Sequence, residues 1–98
     1  MARFDVHRLK SGALVVDLQS SIIDGLETRV VAPLLRLEEF PRPVARLNPV
    51  FDLDGIRYVM VTHMLGAISS RDIQATVSSF AVHSDAIVAA TDFLFQGF

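Results

Sequence analysis

Three histidines, His7, His63 and His83, and eleven carboxylates carry the acid–base and metal chemistry open to this 98-residue chain, which has no cysteine. The missing thiols exclude a disulfide framework, thiol catalysis and a cysteine-based zinc site. His63 follows Thr62 at the end of an apolar run, and a Thr-His pair can serve acid–base work. A lone histidine at a strand end reads first as structural, and that reading is preferred for His63. His7 sits on an alternating stretch and His83 near the start of a helix. Asp52 and Asp54 flank a turn where two carboxylates can approach a metal, but aspartate in turns is already explained by its hydrogen bonds to nearby backbone. Asp17 closes an apolar run and is expected to be partly buried. Asp24 shapes a turn at Gly25. Neither has a visible catalytic partner. Phosphate-loop, dinucleotide, His-Glu-x-x-His and Gly-x-Ser-x-Gly patterns are all missing. The residues point away from catalysis and cofactors and toward binding.

The elements that position these groups are mostly strands. Phe4 to Leu9 alternates with period two, and Ala13 to Leu18 is a nearly continuous apolar run. Around Lys10-Ser11-Gly12 they read as a β-hairpin, its second strand covered on both faces. Gln19 to Gly25 is polar apart from Ile22 and Ile23. Adjacent residues on an extended segment point to opposite sides, so one isoleucine is expected to be buried and the other exposed. Thr28 to Leu35 is a further strand, and Pro33, lacking an N–H, argues for an edge or a bulge there. Glu38 to Asn48, with Pro41 and Pro43, reads as a loop. Asp54-Gly55 between Pro49–Leu53 and Ile56–Thr62 is a strong hairpin signal. A short extended piece is expected over Asp72 to Val77.

Ser78 or Ser79 can cap a helix that runs without Gly or Pro from Phe80 to Phe95. Ile87, Ala90 and Leu94 share one face, with Ala86, Ala89 and Phe93 beside it. Asp85 and Asp92 mark the wet side. Three of the seven phenylalanines fall in the last six residues, Phe93-Leu94-Phe95-Gln96-Gly97-Phe98. An apolar terminus is costly in water unless covered. Gly97 frees Phe98 to leave the helix at almost any angle, so the segment reads as a contact device.

The chain is 51% hydrophobic and 20% charged, with mean hydropathy +0.42. That is apolar for one small domain spanning 1–98, and a homodimer interface is the simplest place for the excess. No apolar run is long enough to span a bilayer. The amphipathic start, Met1 to Asp5, is not that of a signal peptide, so a cytoplasmic location without membrane contact is expected. The net charge is −2 and the nine basic residues are scattered, unlike a nucleic-acid-binding stripe. The Arg36, Arg42 and Arg46 group reads as a solvated loop. Strands first and a helix last give a mostly β or α+β domain.

Val16-Asp17-Leu18-Gln19-Ser20, Ile22-Ile23-Asp24, Thr28 to Leu34, Leu47 to Val50, Thr62-His63-Met64 and Phe95 to Phe98 occur in an order that resembles the CcdB family, the toxins of Ccd toxin–antitoxin modules. The resemblance covers nearly the whole chain. It implies a homodimer of small antiparallel SH3-like barrel subunits, each with a C-terminal helix. It implies a non-enzymatic toxin that binds the A subunit of DNA gyrase, traps the gyrase–DNA cleavage complex and is neutralised by a CcdA-like antitoxin. Carried over by position, the gyrase contacts are Ile22, Ile23, Asp92, Phe95, Gln96, Gly97 and Phe98. Gln96 stands where a family example has Trp, Asp92 where it has Asn and Phe98 where it has Ile. The Trp-to-Gln change removes a large anchor worth roughly 2–3 kcal/mol by area. The antitoxin contacts implied are Arg8, Lys10 and Ser11. The Lys10-Ser11-Gly12 turn is shorter than the family pattern, so antitoxin specificity is expected to differ.

Two other readings remain open at this stage. The Gln96 departure is compatible with a CcdB-like protein that dimerises and binds antitoxin but poisons gyrase weakly or not at all. The MazF and Kid endoribonuclease toxins are similar in fold, and RNA cleavage would need a base, an acid and a phosphate-stabilising cation, for which His63, Asp24 and Arg29 are the candidates.

Overall fold

The computed structural model describes residues 1–23 and 25–98. Asp24, assigned above to the Gly25 turn, to the resemblance and to the endoribonuclease reading, lies outside the described residues. Seven antiparallel strands form one sheet that curls into a half-barrel, and one helix follows them, giving an α+β fold. The strands are β1 (Asp5–Leu9), β2 (Leu14–Asp17), β3 (Thr28–Arg36), β4 (Val50–Leu53), β5 (Ile56–Met60), β6 (Gly66–Ser69) and β7 (Ile73–Ser79). The helix is α1 (Ser84–Gln96). The strand order is β4-β5-β3-β2-β1-β7, with β6 paired to β3 off that path.

Both expected hairpins form. Val6 lies opposite Val16 and Arg8 opposite Leu14 across β1 and β2, and Gly12 turns the chain at φ +94°. In the β4–β5 hairpin, Asp54 and Gly55 have φ of 53° and 81°. Positive φ at both central residues is the turn geometry that matches the right-handed twist of the flanking strands.

β3 is central, which corrects the edge expected from Pro33. Its one side pairs with β2 throughout, Pro33 facing Val15. Its other side pairs first with β6, from Thr28 to Val31, and then with β5, from Leu34 to Arg36. Pro33 falls in the gap between these two partners. Its carbonyl accepts from Val61 N at 2.9 Å, so its missing N–H faces the same seam, where no ladder bond is due. A proline is tolerated inside this sheet because the sheet changes partner there.

The core lies between one sheet face and α1. Val6, Val16, Ala32, Leu34, Phe51, Met60, Phe80, Ile87 and Ala90 form it, all buried. Ile87 and Ala90 face inward as the helical spacing predicts, and Asp85 and Asp92 face solvent. Full burial of a side chain such as Ile87 contributes about 2–3 kcal/mol. The helix starts later than predicted. Neither serine caps it: Ser79 Oγ accepts from Ala81 N at 3.2 Å, but a 3-10 turn over Ala81–His83 with Phe80 at its N-cap intervenes, and His83 is the N-cap of α1, without a side-chain cap bond. His83 packs there against Phe51 and Phe80, with ring centroids at 4.7 and 5.5 Å.

The 38–48 segment is more closely tied than a solvated loop. It opens on a 3-10 turn, Leu37–Glu39. Asn48 is buried and donates to the Met60 carbonyl at 3.2 Å while accepting from Val44 N at 3.0 Å. Thr62 donates to the Leu47 carbonyl. Arg46 places its guanidinium 5.0 Å from the Phe93 ring centroid, fastening the loop onto α1. No helix among the described residues is long and apolar enough to cross a membrane.

Candidate functional site

The face of the sheet opposite the core carries charge. His7, Asp17 and Arg29 are fully buried. Consecutive strand residues point to opposite faces, so His7, Asp17 and Arg29 share a face while Val6 and Val16 take the other. The period-two reading of β1 therefore misses that Val6 and His7 are both inside, at a point where the β1–β7 register shifts. Arg29 grips Asp17 with two bonds, Nε to Oδ2 and Nη2 to Oδ1, both 2.9 Å. His7 Nε2 lies 2.9 Å from Asp17 Oδ2, and Nδ1 lies 2.9 Å from Thr76 Oγ1. Gln19 N donates to Asp17 Oδ1 at 3.0 Å. Burial by itself raises the Asp17 carboxyl pKa. The hydrogen bonds from His7, Arg29 and the Gln19 backbone, with the Arg29 charge, outweigh that and hold it below the ordinary carboxylate value. Asp17 is thus fully rather than partly buried, and its partners lie far away in sequence.

Gln19 leads from this cluster to the surface. Its Nε2 donates to the Ile23 carbonyl at 2.9 Å and its Oε1 accepts from Val30 N at 3.1 Å. The segment between is a 3-10 turn, Ser21–Ile23, with Ile22 N donating to Ser20 Oγ at 3.2 Å. Because it is a turn and not an extended strand, both isoleucines face solvent. Ile22 is 94% exposed and Ile23 51%, which corrects the expectation that one would be buried.

The end of α1 is a second exposed apolar element. Phe95 is 71% and Phe98 73% exposed, and Asp92, Gln96 and Gly97 are also exposed. Gly97 has φ 81°, and its N–H donates to the Phe93 carbonyl at 2.9 Å, closing the helix in a left-handed cap. Gly97 therefore sets one exit direction for Phe98 instead of leaving it free. Arg3 touches both elements. Its backbone N–H donates to Ser21 Oγ at 3.3 Å, and with Leu18, Val30, Leu65, Thr91 and Phe95 it lines a cleft of about 250 Å³. Arg3 is thus bonded to the di-isoleucine turn through Ser21 and shares a cleft lining with Thr91 and Phe95 of α1. No site role follows from the sequence alone for Arg3, Gln19, Leu18, Val30 or Leu65, of which Leu18, Gln19 and Val30 stand within the segments that resemble the family. The alternation of Leu18 with Val16 and of Val30 with Ala32 was the available signal.

The remaining candidate residues are dispersed. Arg8, Lys10 and Ser11 are exposed along β1 and its turn, where Lys10 N donates to the Asp72 carbonyl at 2.9 Å. His63 is exposed, 3.4 Å from Asn48 Nδ2 and with its ring 6.1 Å from that of Phe40. Arg29 is bound to Asp17 inside the protein, so the structure does not present it with His63 to a substrate. Asp52 lies 3.7 Å from Arg57, and no group of three or more metal-ligating side chains is found among the described residues. A cleft of about 550 Å³ between Arg36, Leu37, Pro41, Ile56 and Arg57 is a broad surface hollow. Arg36 and Arg57 each already face a carboxylate there, at 3.7 Å.

A family model described as CcdB protein matches residues 3–97. No curated protein gives a significant match to the chain.

Proposed function

The chain belongs to the CcdB family, and we propose that it is the toxin of a toxin–antitoxin pair, acting by binding the A subunit of DNA gyrase and trapping its cleaved DNA complex. The observation that supports the gyrase reading is the exposure of Ile22 and Ile23, on a turn bonded to Arg3 N through Ser21 Oγ, together with that of Phe98 and of Phe95, which lines a cleft with Arg3. Apolar side chains this open, where they adjoin one another, mark a surface that a partner covers. Asp92, Gln96 and Gly97 complete the surface. A homodimer takes up further apolar area along α1 and the cleft of Leu18, Val30 and Leu65, so that two copies present their helix ends together. A CcdA-like antitoxin engages the exposed Arg8, Lys10 and Ser11 region. The protein works in the cytoplasm, as a binding protein without cofactor, and it makes no direct nucleic-acid contact of its own.

The test measures supercoiling and cleavage-complex formation by purified gyrase with and without the folded protein. Poisoning at micromolar dimer supports the proposal, and its loss on deleting Gln96-Gly97-Phe98 supports the site. Normal gyrase activity with a folded dimer points instead to a relative that retains only dimerisation and antitoxin binding, the reading that Gln96 favours. The Gln96→Trp variant separates these. Restored aromatic area is expected to tighten gyrase binding by about one to two decades. The endoribonuclease reading is opposed by the engagement of Arg29 with Asp17, and RNA left intact after incubation rejects it.

A further inference from the structure

We propose that Gln19 is a positioning residue that holds the di-isoleucine turn in its binding conformation and is itself held by the Asp17–Arg29 pair. The functional half of this inference rests on the gyrase reading of Ile22 and Ile23.

The turn has little of its own to fix it. Neither isoleucine packs into the core, and its three residues contain no buried side chain. Its internal bonds are Ile23 N to the Ser20 carbonyl at 3.2 Å and Ile22 N to Ser20 Oγ at 3.2 Å. An exposed apolar turn with so few contacts samples other conformations unless tied, and each one costs affinity when a partner selects the right one. Arg3 N donates to Ser21 Oγ at the start of the turn, at 3.3 Å, and Gln19 supplies the shorter tie at its end. Its side-chain amide spans from the Ile23 carbonyl to Val30 N, joining the turn to the start of β3. A short bridging amide needs a fixed backbone behind it, and Gln19 N is bonded to Asp17 Oδ1 at 3.0 Å. Arg29 holds that same carboxylate and brings Nη2 to 3.5 Å from the Gln19 carbonyl. Arg29 and Val30 are adjacent on β3, so both Gln19 anchors belong to one rigid segment. The buried charge cluster thus acts on the surface through a single amide.

The two bonds of Gln19 can be separated. Gln19→Glu keeps an oxygen for Val30 N and replaces the donor facing the Ile23 carbonyl with an acceptor. Gln19→Met keeps the length and removes both bonds. Native-state hydrogen exchange on the free dimer reads positioning directly. Both variants lose the bond to the Ile23 carbonyl, so we expect Ile22 and Ile23 amides to exchange roughly five- to tenfold faster in each, the worth of about one hydrogen bond. Amides in β2 and β5 should keep their protection. Unchanged exchange at Ile22 and Ile23, or uniformly faster exchange across the sheet, overturns the positioning role.

Affinity for a gyrase A-subunit fragment reads the functional half. Gln19→Met should weaken binding severalfold in the wild-type background and have almost no effect when Ile22 and Ile23 are both alanine. Equal weakening in both backgrounds overturns it. If the double-alanine protein binds gyrase as tightly as wild type, the di-isoleucine reading fails and the functional half fails with it. The exchange measurement still decides whether Gln19 holds the turn.

Discussion

His7, Asp17 and Arg29 lie fully buried, while Ile22, Ile23, Phe95 and Phe98 stand in solvent, although only four residues separate Asp17 from Ile22. The usual preferences are reversed in both regions. The buried groups are tolerated because each charge has a close partner and the carboxylate is satisfied on both oxygens. A buried pair of this kind contributes little net stability over an apolar replacement, yet losing one member is costly. The exposed groups make no comparable internal contacts, so their worth to the isolated fold is small. On the function proposed above, the two regions divide labour, one defining geometry and the other contact, and substitutions should separate stability from binding.

The largest expected effect is on the inner region. Arg29→Met leaves the Asp17 carboxylate buried without its cation and should cost about 3–5 kcal/mol in urea unfolding. A loss below about 1 kcal/mol would mean that His7 and Gln19 suffice. The same cluster sets an acid limb. Asp17 has a folded pKa lowered from an ordinary value of 3.8, so its stabilising contribution is complete above that value. It is lost as pH falls through the lowered folded value, because the unfolded chain takes up the proton first. Denaturation midpoints measured from pH 7 to 2 should fall less steeply in Asp17→Asn than in wild type over that acid window.

The next effect belongs to the outer region and reverses the pattern. If the chain binds gyrase as proposed, Phe95→Ala with Phe98→Ala should weaken that binding by about one to two decades. The urea midpoint should hardly move, since both side chains are mostly exposed. A large stability loss would show that the helix end is structural and break the division. Smaller again is Gly97→Ala, which forces an L side chain into a left-handed cap at φ 81°. About 1 kcal/mol is expected, read from thermal unfolding, with Phe98 redirected and binding reduced alongside. The smallest is Arg46→Ala, removing a cation–π contact to Phe93 worth about 0.5–1 kcal/mol at an exposed site. It should loosen the 38–48 segment without altering gyrase binding, a control for general damage to α1.

Local chemistry was legible wherever it was decisive. Gly12 and Asp54-Gly55 marked both hairpins because a positive φ admits few residue types. The inward face of α1 could be read at Ile87 and Ala90 from spacing alone. β6 escaped notice because Gly66-Ala67-Ile68-Ser69 is short, small and without clear alternation, and becomes a strand by pairing with β3. The 3-10 turn at Ser21–Ile23 escaped for a related reason, since two adjacent isoleucines carry strand propensity and the contacts that bend them come from Gln19 and Arg3.

The sequence by itself determined the kind of protein this is. The order of its strand, turn and helix signals, the segments shared with the CcdB family and the apolar run from Phe93 to Phe98 are all properties of neighbouring residues. Tertiary structure decided which side chains meet. Asp17 finds Arg29 twelve residues away and His7 finds Thr76 sixty-nine away, through sheet registers that no local pattern encodes. The same registers place Pro33 at a seam instead of an edge and bring Arg3 against both the di-isoleucine turn and the end of α1. Backbone propensity acts over a few residues, whereas the pairing of distant strands chooses where a charge is buried and where a phenylalanine is left in water.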